Sequence, residues 1–191
     1  MTTNKKSFPS GRPHVGLPAR GVAKSTPGPA FLGPDDAFLQ NARAATPLPG
    51  YYDVAVHGSA AGVELQTASG TVTLANHRTL AKAIQGMPDY TGQPIRLISC
   101  DTGQLPNGFA QNLSNKLGVE VLAPNTWVWP APASGLPTIG ATASGQIVVF
   151  QPGAGNIVVS APMRIPGLAD PVPVYPPTGQ LVPFKPRGSR P

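Results

Sequence analysis

The sequence predicts a small layered α/β sandwich with a mainly parallel central sheet plus hairpins, flanked by Pro-rich extended tails. Apolar β-type runs and amphipathic helical stretches follow one another in the order β, hairpin, α, β, α, β, as in a layered α/β domain. Of the 25 prolines, eight fall in residues 1–50 and nine in residues 161–191, so the ends differ from the middle. Apolar residues make up 40% of the 191-residue chain, enough for a core. No run approaches the roughly 18–20 uninterrupted apolar residues of a membrane span. The expected organisation is a basic, Pro/Gly-rich and mostly disordered N-terminal segment over 1–48, an α/β domain over 49–160, and a Pro-rich C-terminal tail over 161–191.

In the tails, Pro27-Gly28-Pro29 and the stretch from Pro171 to Pro177 fix φ and remove backbone donors, which favours polyproline II. The exception is Asp35 to Arg43, expected as a short capped helix against the core. Within the domain, Tyr51 to Val56 is β-rich and mostly apolar, as in a central strand covered on both faces, and stops at His57-Gly58. Val63 to Gln66 and Thr71 to Leu74 alternate around Ala68-Ser69-Gly70 as a hairpin. Asn76 caps a helix from Arg78 to Gln85, ended by Gly86. Ile95 to Ser99 is a second buried strand, closed by Cys100 and the polar Asp101-Thr102-Gly103. Pro106 and Asn107 open a helix that runs through Leu117, with Phe109, Leu113 and Leu117 on one stripe and Gly118 as left-handed cap. Val119 to Ala123 is a third strand stopped by Pro124, and Ile147 to Phe150 is expected to pair with Ile157 to Val159 around Pro152-Gly153.

The net charge of +6 divides unevenly: +4 in residues 1–50, −1 in 51–160 and +3 in 161–191. Four scattered cations on the middle segment (Arg78, Lys82, Arg96 and Lys116) do not make the clustered patch that counterion release requires, which argues against nucleic-acid binding by the core. The first 25 residues are basic but lack an apolar h-region, so no signal peptide is visible. Cys100 is the only cysteine, which excludes an internal disulfide and a Cys-rich zinc site and leaves a thiol that is either buried filler or reactive. No metal or cofactor is expected. HExxH, P-loop and GxGxxG motifs do not occur, and with Glu64 and Glu120 the only glutamates, a paired-carboxylate glycosidase would need to be built from Asp.

Ligands of open α/β sheets bind outside the carboxyl ends of the strands, and both His57 and Cys100 fall at such ends. Cysteine catalysis needs a thiolate, a base to take its proton and a donor for the oxyanion. Of the three histidines, His14 lies in the basic tail and His77 in a polar turn, which leaves His57. Gly58 has no side chain to keep its N–H from a substrate carbonyl. The bland reading of the same residues is a buried thiol and a structural histidine. Every histidine precedes Cys100, which excludes papain-like and transglutaminase-like enzymes, where Cys comes first.

The segments Val54-Ala55-Val56-His57-Gly58, Ile95 through Gly103, Gly108 through Leu113, Leu117-Gly118-Val119 and Ala123-Pro124 resemble the caspase-like cysteine peptidase domains at the C-terminal ends of bacterial polymorphic toxins. The 43-residue interval from His57 to Cys100 agrees with caspase-like order. The resemblance covers roughly residues 51–150. It implies a caspase-like fold, with Cys100 as nucleophile, His57 as general acid/base, Gly58 with Cys100 at the oxyanion, and Asp101 as the third signature position. Asp101 supports His57 only if the chain turns at once after Cys100; otherwise it caps the following helix. Gly103 falls three residues after the cysteine instead of two and Ser99 replaces an alanine, so substrate preference does not transfer.

The resulting expectation is a cysteine endopeptidase acting on protein or peptide, with its own flank as one candidate substrate. The resemblance adds a toxin or effector role, delivered or secreted and otherwise cytoplasmic, with an immunity or delivery protein as partner. The competing expectation is a non-catalytic α/β module whose Pro-rich tail recruits a partner. Asp53, Asp89 and Asp101 are candidates for favouring a basic substrate side chain, and Trp127 and Trp129 either wall an apolar subsite or pack as core.

Overall fold

Two runs buried at every position, Tyr52–Ala55 and Ile95–Ile98, lie side by side at the centre of one sheet. The computed structural model describes residues 26–33, 36–66 and 70–188. Along the chain these form β1 (Thr26–Ala30), α1 (Ala37–Arg43), β2 (Tyr52–Ala55), β3 (His57–Gly58), β4 (Val63–Gln66), β5 (Val72–Ala75), α2 (His77–Gln85), β6 (Ile95–Ile98), α3 (Phe109–Leu117) and β7 (Val121–Pro124). Short strands follow: β8 (Val128–Pro130), β9 (Thr138–Ala141), β10 (Ile147–Phe150), β11 (Ile157–Val159), β12 (Pro162–Met163), β13 (Val172–Pro173) and β14 (Leu181–Phe184). The main sheet has the order β1-β2-β6-β7-β14; its first four strands are parallel and β14 is antiparallel. The architecture is a mixed α/β fold with small antiparallel sheets attached.

Strand alternation sorts the side chains onto two faces. Tyr52, Val54, Ile95 and Leu97 join Leu80, Ala81 and Ile84 of α2 and Phe109, Ala110 and Leu113 of α3 in the larger core. Ala55 and Ile98 face the other way, toward Ala42 of α1 and Val128 of β8. On that second face Arg96 donates to both Asp53 carboxylate oxygens, at 2.7 and 2.5 Å, and to the Thr46 carbonyl at 2.9 Å. Burial pushes the Asp53 carboxyl up while the guanidinium pulls it down.

Helix ends follow local chemistry. Asn76 accepts from Arg78 and Thr79 N–H at the start of α2, which begins one residue earlier than the sequence suggested. Gly118 ends α3 at φ 74°. The α3 N-cap is Gly108, because Leu105 to Gly108 first close a turn through Gly108 N–H to the Leu105 carbonyl. The β4–β5 hairpin forms in register Val63↔Ala75 to Gln66↔Val72; its expected turn lies partly outside the described residues.

Three expectations are corrected. Ile147–Phe150 and Ile157–Val159 do not pair: β10 pairs with β9 across the tight Thr142 to Gly145 turn, and β11 returns to β8. The local turn, with Gly145 at φ 86°, closes a shorter loop than pairing across Pro152-Gly153 would. The domain boundary at 160/161 fails, because β14 pairs with β7 and buries Phe184 in the larger core. An edge position tolerates Pro183. The boundary at 48/49 also fails: Thr26–Ala30, including Pro27 and Pro29, is an edge strand beside β2, and α1 packs on the sheet. The disorder expected for residues 1–25 lies outside the described residues. Among the described residues no helix is long and apolar enough to cross a membrane.

Candidate active site

Parallel register brings His57 and Cys100 to one level. The last paired residues of β2 and β6 are Ala55 and Ile98, and each candidate lies two residues beyond its own strand. Val56 N–H still bonds to the Ile98 carbonyl at 3.2 Å, so the two strands remain joined up to the residue before His57. From His57 the chain leaves the sheet as β3 and pairs with β4, placing His57 opposite Glu64.

The chain reverses immediately after Cys100. Asp101 adopts φ 56°, the one positive φ of a non-glycine among the described residues. Its N–H is held by the Thr126 carbonyl at 3.0 Å, and Gly103 N–H by the Pro124 carbonyl at 2.8 Å. Backbone strain retained in this way is a frequent feature of functional sites. Two glycines allow the close packing around the turn. A Cβ at Gly103 would lie 2.5 Å from the Ala123 carbonyl oxygen, and one at Gly58 would lie 2.2 Å from Ser99 Oγ. Gly58 is therefore required for packing, whatever its N–H does toward a substrate.

His57, Gly58, Cys100 and Asp101 open together on a groove of about 550 Å³, whose walls are Phe38, Glu64, Trp127, Val128 and Trp129. A second cavity of about 440 Å³ shares His57, Gly58 and Glu64 and continues toward Leu74 and Asn76. The candidate pair thus shares one groove, and His57 also borders the second cavity. Trp127 and Trp129 have ring centroids 5.6 Å apart, and Trp129 Nε1 donates to the Ser160 carbonyl at 3.0 Å. They line the groove while Val128 between them turns into the core.

Cys100 is half-buried. Burial raises its thiol pKa, the Asp101 charge adds to that, and the Val128 backbone hydrogen bond opposes both. The unliganded thiol is accordingly protonated at neutral pH. His57 is 42% exposed at its side chain, and its Nε2 lies 2.6 Å from Asp36 Oδ2. The Phe38 ring packs beside it with centroids 5.4 Å apart.

Sequence reasoning missed Asp36 as a neighbour of His57. It saw an acid before a helix, which signals a cap, and Asp36 does cap α1 by accepting Phe38 N–H at 2.9 Å. Nothing local shows that its second oxygen meets an imidazole 21 residues on. Asp101 faces the groove but has Trp127 as its hydrogen-bonding partner, and burial raises its carboxyl pKa against that bond. It does not cap α3. Asp53 and Asp89, expected near a basic substrate side chain, are elsewhere: Asp53 binds Arg96, and Asp89 accepts from the Tyr52 hydroxyl at 2.7 Å. His77 is the first residue of α2, and His14 lies outside the described residues. Among the described residues no group of three or more His, Cys, Asp or Glu is arranged to hold a metal ion.

The family described as "Domain of unknown function (DUF8616)" matches residues 28–149, more than half of the chain. The chain belongs to this family. The DUF8616 match begins inside β1 and ends inside β10, so it takes in Asp36, His57, Cys100 and both groove tryptophans, while β14 lies beyond it. Neither curated proteins nor solved structures give a match to the chain.

Proposed function

We propose that this domain is a caspase-like cysteine endopeptidase in which Cys100 attacks a peptide carbonyl and His57 moves the proton. The observation that carries this reading is the register of β2 and β6, which delivers the two residues to the same rim of one groove. Because burial raises the thiol pKa, the proton passes from Cys100 Sγ to His57 as substrate binds and excludes water. The thiolate adds to the carbonyl, His57 protonates the leaving amine, and water then hydrolyses the thioester. His57 lines two cavities, one reaching Trp127 and Trp129 and the other Leu74 and Asn76, which suits a chain bound through its interior rather than by an end. Among the described residues the groove's charged lining includes Glu64 and Asp101 and no Lys or Arg, which favours a basic substrate side chain over an acidic one.

The toxin or effector role, delivery outside the producing cell and an immunity or delivery partner are proposed on the sequence resemblance. The competing module reading loses part of its basis, since residues 181–184 of its recruiting tail are built into the sheet. The test is hydrolysis of an unbiased peptide library read by mass spectrometry. We expect internal cleavage by the native chain, with Lys or Arg outcompeting Asp or Glu beside the cut, and none by Cys100→Ala or His57→Ala. A native chain that cleaves nothing would sink the peptidase.

A further inference from the structure

We infer that Asp36 is the positioning residue of His57, fixing which ring nitrogen takes the proton; the inference rests on the peptidase reading for its function, though not for its chemistry. One carboxylate is held at two points. Oδ1 accepts Phe38 N–H at 2.9 Å and Oδ2 meets His57 Nε2 at 2.6 Å. The Asp36 N–H is itself anchored to the Gly33 carbonyl at 3.1 Å. An ionised carboxylate only accepts, so Nε2 carries the hydrogen and Nδ1 presents the lone pair. Nδ1 is then the one ring nitrogen able to receive the Cys100 proton. The first turn of α1 also supplies Phe38, whose ring flanks the imidazole, so a single short element sets both its tautomer and its tilt.

The proton balance is closed without protonating Asp36. The Cys100 S–H bond breaks as the proton joins Nδ1. The imidazolium keeps Nε2–H directed at Asp36, and Nδ1–H passes to the leaving amine. Removing the carboxylate frees the ring to exchange tautomers and to rotate, which slows proton transfer without removing a substrate contact. The segment that sequence composition places outside the domain therefore completes its active site.

Asp36→Asn separates this role from capping, because Asn is as good an N-cap as Asp, yet its amide can donate to Nε2 and drive the hydrogen to Nδ1. Long-range nitrogen–proton NMR on the full chain, with imidazole nitrogens labelled and His57 assigned by His57→Gln, reads the tautomer directly. The expected result is Nε2–H in the native protein and a shift toward Nδ1–H in Asp36→Asn, with the melting temperature within about 2 °C. In the peptidase assay kcat falls by about 100-fold or more at unchanged KM, and Asp36→Glu recovers part of it. Nδ1–H in the native protein, or no tautomer change in Asp36→Asn, overturns the assignment whatever the hydrolysis assay shows. A tautomer shift in a chain that hydrolyses nothing supports the Asp36 clamp and overturns the peptidase reading instead.

Discussion

Cys100 and Gly58 show how single side chains set the behaviour of the groove. Burial raises the thiol pKa, and a raised thiol pKa means less thiolate at any given pH. Iodoacetamide labelling of the unliganded native chain should consequently be slow near neutrality and climb through a pH range above that of a free cysteine. A labelling midpoint below the free-thiol range would show a preformed ion pair instead. Gly58→Ala would push a methyl carbon to 2.8 Å from Thr102 Cγ2 as well as against Ser99 Oγ. Ser99 and Thr102 are fully buried and cannot yield easily, so we expect a loss of about 1–3 kcal/mol in urea unfolding. The glycine, the histidine and the cysteine were legible in the sequence because each stands where an apolar run stops. Asp36 was legible only as a cap, since a side chain's second hydrogen bond leaves no trace in local composition.

The elements differ in how far their own sequence explains them. β2, β6, α2 and α3 were readable because their periodicity is local and strong, and their burial follows from it. The Asp53–Arg96 pair could not be anticipated, as it depends on register: Asp53 is opposite Arg96 in adjacent parallel strands. Both side chains are largely buried, so removing one partner strands a charge. Arg96→Met should cost about 3–5 kcal/mol by denaturant titration, and Asp53→Asn in that background should recover part of the loss; no recovery would mean the pair is not what holds this face. The β8–β11 and β9–β10 pairings were misread for a related reason. Four short β-rich runs in succession admit several pairings, and turn geometry at Thr142 to Gly145 selects among them.

For the whole molecule, residues 26–33, 36–43 and 181–185 belong to the fold. β14 covers the outer edge of β7, Phe184 sits in the larger core, and the Gln111 side chain holds the Lys185 carbonyl at 2.8 Å. Deleting residues 180–191 should therefore lower the melting temperature and promote aggregation through the uncovered β7 edge. Phe184→Ala alone should cost about 3–5 kcal/mol. A truncated chain as stable and soluble as the full one would show that β14 only rests on the sheet. The sequence by itself determined the α/β class, the central strands and helices, and the two candidate residues at strand ends, because hydrophobic period, caps and breakers act over a few neighbouring residues. Only the tertiary structure decided that Asp36 meets His57, that a Pro-rich end closes the sheet, and which short strands pair. Those outcomes depend on register and on contacts between distant segments, where proline content and composition carry no information about what lies alongside.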